Sequence, residues 1–220
     1  MKSITVVNYA SFIARVCSPQ FNGFVFRGVS DSSHGLLTSI GRIPRFQEAS
    51  LSKITSAEKH WLKRFRLEGV GLAQGNYNLW DWMVLARHHG LPVRLLDWTR
   101  NPLIALFFAV NGNSRSNAVV YAERFTRHID IEAEPDPLAV KKTGKFQPSN
   151  VSPRIASQSS MFSIHPDPRK AHDSSALHKF EISAKLVPSL RAQLRRCGIH
   201  PATVFPDLEG LAMSIKEEIS

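Results

Sequence analysis

His88-His89-Gly90-Leu91-Pro92-Val93-Arg94-Leu95-Leu96-Asp97-Trp98-Thr99-Arg100-Asn101-Pro102, running on into Leu103–Val110, is the stretch whose reading decides the fold. Gly90 and Pro92 end a helix before them, because glycine accepts a left-handed cap and proline cannot continue a helix. Val93 to Leu95 then reads as a short strand with a buried face. Asn101 caps a second helix, Pro102 suits its first position, and an almost unbroken apolar run comes next. A helix apolar on all sides belongs in a core. The histidines, arginines, Asp97, Trp98 and Thr99 are thereby fixed on turns beside a rigid core, where binding and catalysis concentrate.

Working outward, the spacing of Tyr9, Phe12, Ile13 and Val16 predicts a helix over 8–17. Residues 23–28 read as a strand with Phe24 and Phe26 on one face and Val25 and Arg27 on the other. The stretch 29–50, rich in Ser, Gly and Pro, reads as loop. Thr55 and Glu58 have capping-box spacing, which predicts a helix over 56–68 ending at Gly69. Asn78 caps a helix over 79–89. Strands are expected at 118–123, 161–164 and 177–182, and helices near 188–198 and from Leu208 to Ile219. Residues 126–150 have weak periodicity and several prolines, so they are expected as a mobile flap or a surface insertion. Helices and strands do not alternate regularly. The expected fold is therefore α+β: a single domain over 1–220, with a small mixed or antiparallel sheet, flanking helices and one buried central helix.

Composition narrows the function. The 220 residues hold 28 Lys and Arg against 18 Asp and Glu, a net charge of +10. Such an excess attracts phosphorylated ligands and nucleic acid, or simply keeps the chain soluble. Cys17 and Cys197 form no disulfide or metal pattern, so no metal site is expected and a reducing cytoplasm is. No apolar run approaches the ~18 residues of a membrane span. Glycine-rich dinucleotide fingerprints, Walker motifs, nucleophile elbows and zinc-spaced sets are all missing from the sequence. The oligomeric state is not legible.

The remaining candidates are individual side chains. Arg27, ending a strand before Gly28, offers a fork suited to phosphate or carboxylate, or an ion pair with Asp97 or Asp31. His89 lies on an apolar stripe, while His88 is either a general base or a donor to a helix-end carbonyl. Arg94, Asp97, Trp98 and Thr99 read two ways. One is an Arg94–Asp97 pair locking the turn, with Thr99 capping the next helix. The other is a ligand pocket floored by Trp98. Gln158 is placed to hydrogen-bond a base or ribose hydroxyl, or is an ordinary polar strand end.

The central stretch, together with Phe26-Arg27-Gly28, Ser39-Ile40-Gly41-Arg42, Arg154-Ile155-Ala156-Ser157-Gln158 with Phe162, and Phe205–Leu211, resembles the FRG domain family, over roughly 20–215. At lower resolution the order of Arg27, Thr99 before Leu103–Ala109, and Gln158 resembles ADP-ribosyltransferases. That likeness implies NAD as substrate, held through Arg27, and an acid stabilising a ribosyl cation. Gln158 stands where a glutamate is expected, so transfer would need another acid, such as Asp97. The resulting expectation is a pocket for a phosphate-bearing nucleotide. Arg27, Gly28, Arg94, Trp98 and Thr99 would bind; Asp97, His88 and Gln158 would serve NAD cleavage or ADP-ribosyl transfer. The alternative is a non-catalytic module sensing a nucleotide or nucleic acid in bacterial or phage conflict.

Overall fold

The computed structural model describes residues 1–73, 75–112 and 116–219. Its elements run β1 (Lys2–Thr5), α1 (Tyr9–Val16), β2 (Val25–Val29), α2 (Leu51–Gly69), α3 (Leu79–His88), β3 (Leu95–Thr99), α4 (Pro102–Val110), β4 (Ala118–Glu123), β5 (Gly144–Phe146), α5 (Pro153–Ser157), β6 (Ser160–Ile164), β7 (His178–Ile182), α6 (Val187–Arg196), α7 (Pro201–Val204) and α8 (Leu208–Ile219). The strands form one seven-stranded sheet in the order β1-β7-β4-β2-β3-β6-β5. Among the described strands only β1 and β7 pair in parallel, so the sheet is mixed and the α+β expectation holds. Among the described residues, no helix is long and apolar enough to cross a membrane.

The helix ends of the central stretch fold as its residues dictate, but the strand lies later than expected, at Leu95–Thr99, so Asp97, Trp98 and Thr99 stand on it rather than on a turn. Gly90 takes a left-handed φ of 83° and stops α3. The Asn101 side chain accepts from the Leu103 amide and Pro102 opens α4. Helix α4 then lies against β2, where Ile104, Leu106, Phe107 and Val110 join Phe12, Phe26, Phe180 and Leu190 in the largest apolar cluster. Gly28 makes that approach possible. A β-carbon there would sit 1.8 Å from the Ala105 carbonyl oxygen, inside the backbone of α4. The other sheet face buries Leu96, Trp98, Val119 and Tyr121 beneath Leu36 and Leu177.

Three expectations change. Helix α2 begins at Leu51, where the Ser50 hydroxyl accepts from the Lys53 amide 3.3 Å away. Thr55 and Glu58 therefore lie inside the helix and cap nothing; both face Arg94. The 126–150 stretch is part of the sheet and core rather than a bare insertion. It supplies edge strand β5, and Ile129, Val140 and Phe146 pack with Trp80, Met83 and Phe162. Strand β1 was not expected. It is short, largely exposed and paired along one edge only, so it leaves little pattern.

Candidate functional site

Strands β2 and β3 pair at one position, Phe26 with Thr99, whereas each pairs over five positions with its other neighbour. Beyond that point Arg27 bridges the two strands in place of the ladder. Its Nη1 donates to the Asp97 carbonyl oxygen at 2.7 Å and to Asp97 Oδ2 at 3.1 Å. The last turn of α3 brings Arg87 to the same carboxylate oxygen, with Nε at 3.1 Å and Nη2 at 2.7 Å. One carboxylate thus holds two guanidinium forks.

The electrostatics reflect that arrangement. Burial pushes the Asp97 carboxyl up, but Arg87 and Arg27 more than offset it and hold Asp97 well below the usual carboxylate range. Burial lowers Arg27, and Asp97 restores part of that loss. Arg87 is raised by Asp97 against its own burial. Arg42, from the loop after β2, adds another positive charge; burial and Arg87 lower it while Asp97 raises it. Positive charge exceeds negative charge at this point, because three arginines surround one aspartate.

Arg27, Arg87 and Asp97 line a cavity of about 310 Å³, with Phe108, Phe162 and Phe205 as its apolar walls and Arg154 and Gln158 at its side. His88 enters from α3. Its Nδ1 lies 3.1 Å from the Ser152 hydroxyl and its ring centre 5.8 Å from that of Phe162. Burial lowers its pKa, opposed by Asp97, so the imidazole is neutral at pH 7. Arg154 is engaged elsewhere. It binds Asp207 at 2.7 Å and Glu209 at 3.0 Å and lies over the Phe205 ring.

The structure gathers Arg27, Gly28, His88, Asp97, Trp98, Thr99 and Gln158 around this cavity, but several play other parts than expected. The Arg94–Asp97 pair does not form. Strand alternation turns Arg94 elsewhere, and its Nε donates to Glu58 Oε2 at 2.7 Å in a buried pair away from the cavity. Trp98 does not floor the cavity with its indole, which is buried against Phe125 with Nε1 donating to the Ser163 hydroxyl at 2.8 Å. Thr99 leaves the capping to Asn101; its hydroxyl accepts from the Asn101 amide and donates to the Gln158 carbonyl. The Gln158 amide donates to the Val204 carbonyl at 3.2 Å. Gly28 borders the cavity, yet its missing side chain serves α4. Sequence reasoning missed Arg87. Its signal was a strong cation directly after the apolar run Trp82–Ala86 of that helix, immediately before His88.

The FRG domain family model matches residues 22–118, just under half of the chain. The match spans β2 to the start of β4, including Arg27, Arg87, His88 and Asp97, and stops short of Arg154, Gln158 and Phe205. No curated protein and no solved structure matches the chain.

Proposed function

Since this chain carries an FRG domain across residues 22–118, we propose that the cavity beside the β2–β3 junction binds a phosphate-bearing nucleotide. The observation behind this reading is the pair of guanidinium forks that share Asp97, with Arg42 near them. Planar forks match phosphate oxygens two at a time. Asp97 holds them in place before a ligand arrives, which lowers the ordering cost of binding. Phe108, Phe162 and Phe205 offer apolar surface to a base. The volume of about 310 Å³ lies at the small end of ligand pockets, ~300–1,000 Å³. It suits one nucleotide unit, so a dinucleotide such as NAD would enter by one half.

Binding without turnover fits these residues better than NAD cleavage. A ribosyl cation needs a free negative charge beside it. Asp97 is already paired with two arginines and Gln158 carries no charge. The test is a thermal-shift and calorimetric series with AMP, ATP, NAD, adenosine and inorganic phosphate, beside nicotinamide release followed by mass spectrometry. A nucleotide at 100 times its Kd should stabilise the protein by about 2.7 kcal/mol. Arg87→Gln should weaken binding at least tenfold (about 1.4 kcal/mol). Equal shifts with adenosine and AMP, or none with any nucleotide, would overturn the proposal. Nicotinamide release lost in Asp97→Asn would replace it with the catalytic reading.

A further inference from the structure

Two stretches singled out by their residues, 154–158 and 205–211, meet beside the cavity. Three side chains of the first reach the chain at 204–209. Ser157 Oγ donates to the Val204 carbonyl oxygen at 3.0 Å, and Gln158 Nε2 donates to the same oxygen at 3.2 Å. Arg154 reaches further along. Its Nη2 donates to Asp207 Oδ2 at 2.7 Å and to Glu209 Oε2 at 3.0 Å, and its Nε to Asp207 Oδ2 at 2.9 Å. Ser157 and Gln158 therefore fix the end of α7, whereas Arg154 fixes the start of α8.

Apolar burial contributes little to holding α8. Among its described residues only Gly210 and Ser214 are buried, while Leu208, Leu211, Ile215 and Ile219 are exposed. Ser214 Oγ lies 3.4 Å from His200 Nδ1, and Arg195 pins the far end through Glu217 at 3.3 Å and Glu218 at 2.6 Å. The pairs at the near end are close to solvent: the Glu209 side chain is 73% exposed and that of Asp207 37%. Exposed pairs hold weakly, because both partners can return to water. An element held in this way opens before the core does.

Arg154 also borders the cavity, together with Arg27 and Arg87. His88 feels both sides of that space: burial lowers its pKa, Asp97 opposes this, and Arg154 and Arg87 each lower it further. We propose that Arg154 is a switch: a phosphate bound in the cavity draws it from Asp207 and Glu209, and α8 is released at its start. The inference rests on the nucleotide reading of the cavity. The exchange favours the phosphate because a guanidinium fork takes two of its oxygens at once, in a site where Arg154 is only 28% exposed. The two acids it leaves are hydrated by the solvent they already face. One fork cannot serve both anions, so the coupling is reciprocal: whatever frees Arg154 from α8 tightens the ligand.

The experiment is hydrogen exchange of the full chain with and without AMP, beside calorimetry of the wild type, Arg154→Gln and Asp207→Asn/Glu209→Gln. Asparagine at 207 keeps an oxygen for the Gly210 amide, so the double variant removes the charges and leaves the cap. Saturating AMP should speed exchange across 208–214 of the wild type by about fivefold, with α6 unchanged. The double variant should exchange fast without AMP and bind it about fivefold tighter. Arg154→Gln should exchange fast with or without AMP and bind it about fivefold more weakly. Wild-type exchange across 208–214 that AMP slows or leaves alone would overturn the proposal, and so would a double variant that binds no tighter. Calorimetry that finds no AMP binding in the wild type would remove the nucleotide reading and this coupling together, whereas binding without the α8 response would remove the coupling alone.

Discussion

Replacing Arg94 separates the two parts that the central stretch could play. The Arg94 side chain is 2% exposed and that of Glu58 is fully buried. Arg94 Nε donates to Glu58 Oε2 at 2.7 Å, its amide to Oε1 at 2.8 Å, and its Nη2 to the Thr55 hydroxyl at 2.9 Å. Burial pushes the Glu58 carboxyl up and Arg94 pulls it back, so the charge on Glu58 depends on its partner. Arg94→Met strands that carboxyl, at a cost of about 3–5 kcal/mol. At about 2–4 °C per kcal/mol for a chain of this size, Tm should fall by roughly 6–20 °C. The double variant Glu58→Leu/Arg94→Met should recover much of this, because no buried charge is left over. It should still fall short of the wild type by about 1–3 kcal/mol, since the Arg94 amide loses its acceptor. Urea unfolding of the three proteins measures the cycle. Calorimetry below the lowest Tm, with the nucleotide that binds the wild type, should give an unchanged Kd. A single-variant cost under about 1 kcal/mol, or a double variant worse than Arg94→Met alone, would refute the account of the pair. A tenfold weaker Kd in a folded Arg94→Met would return Arg94 to the ligand site.

Three more outcomes are expected. Gly28→Ala places a methyl group 1.8 Å from the Ala105 carbonyl oxygen, so α4 must leave β2. That displacement should cost more than about 4 kcal/mol, read as loss of soluble folded protein, and a stable Gly28→Ala would sink the explanation. His165 is buried beside His172 and Arg27, which lowers its pKa to about 3. Its native pKa lies below its unfolded value, so its contribution is full above about pH 6.5 and is lost as pH falls from there toward 3. Urea midpoints should drop between pH 7 and pH 4 in the wild type and drop less in His165→Gln; parallel slopes would dismiss this group. Asp97→Asn keeps a side-chain oxygen that can accept from Arg27 and Arg87 but removes the negative charge that repels an incoming phosphate. It should lower stability by about 1–3 kcal/mol while raising affinity for inorganic phosphate, and calorimetry showing weaker phosphate binding would contradict the anion-site reading.

What the sequence disclosed was what local chemistry controls. Gly90, Asn101 and Pro102 bounded α3 and α4 because caps act within a turn. The apolar run 103–110 identified the buried helix because no other environment suits it. Pairing between distant side chains was not legible. Arg94 and Asp97 stand three residues apart, so a reading by proximity joins them. Strand alternation instead sends Arg94 to Glu58, 36 residues earlier, and brings Asp97 to Arg87 and Arg27, 10 and 70 residues away. Thr55 and Glu58 show the same limit. Their capping-box spacing also fits two side chains one helical turn apart that face a common arginine, and only the placing of α2 beside Arg94, just before β3, decides between the two. Arg27 illustrates how far a motif can carry an inference. Its fork was expected to meet either an anion or an aspartate, and it meets Asp97 while facing the cavity. An aspartate between two arginines is both an ion pair and a template for the anion that would sit beside it. The two readings of Arg27 therefore describe one arrangement, and replacing Asp97 with a neutral isostere is the change that pulls them apart.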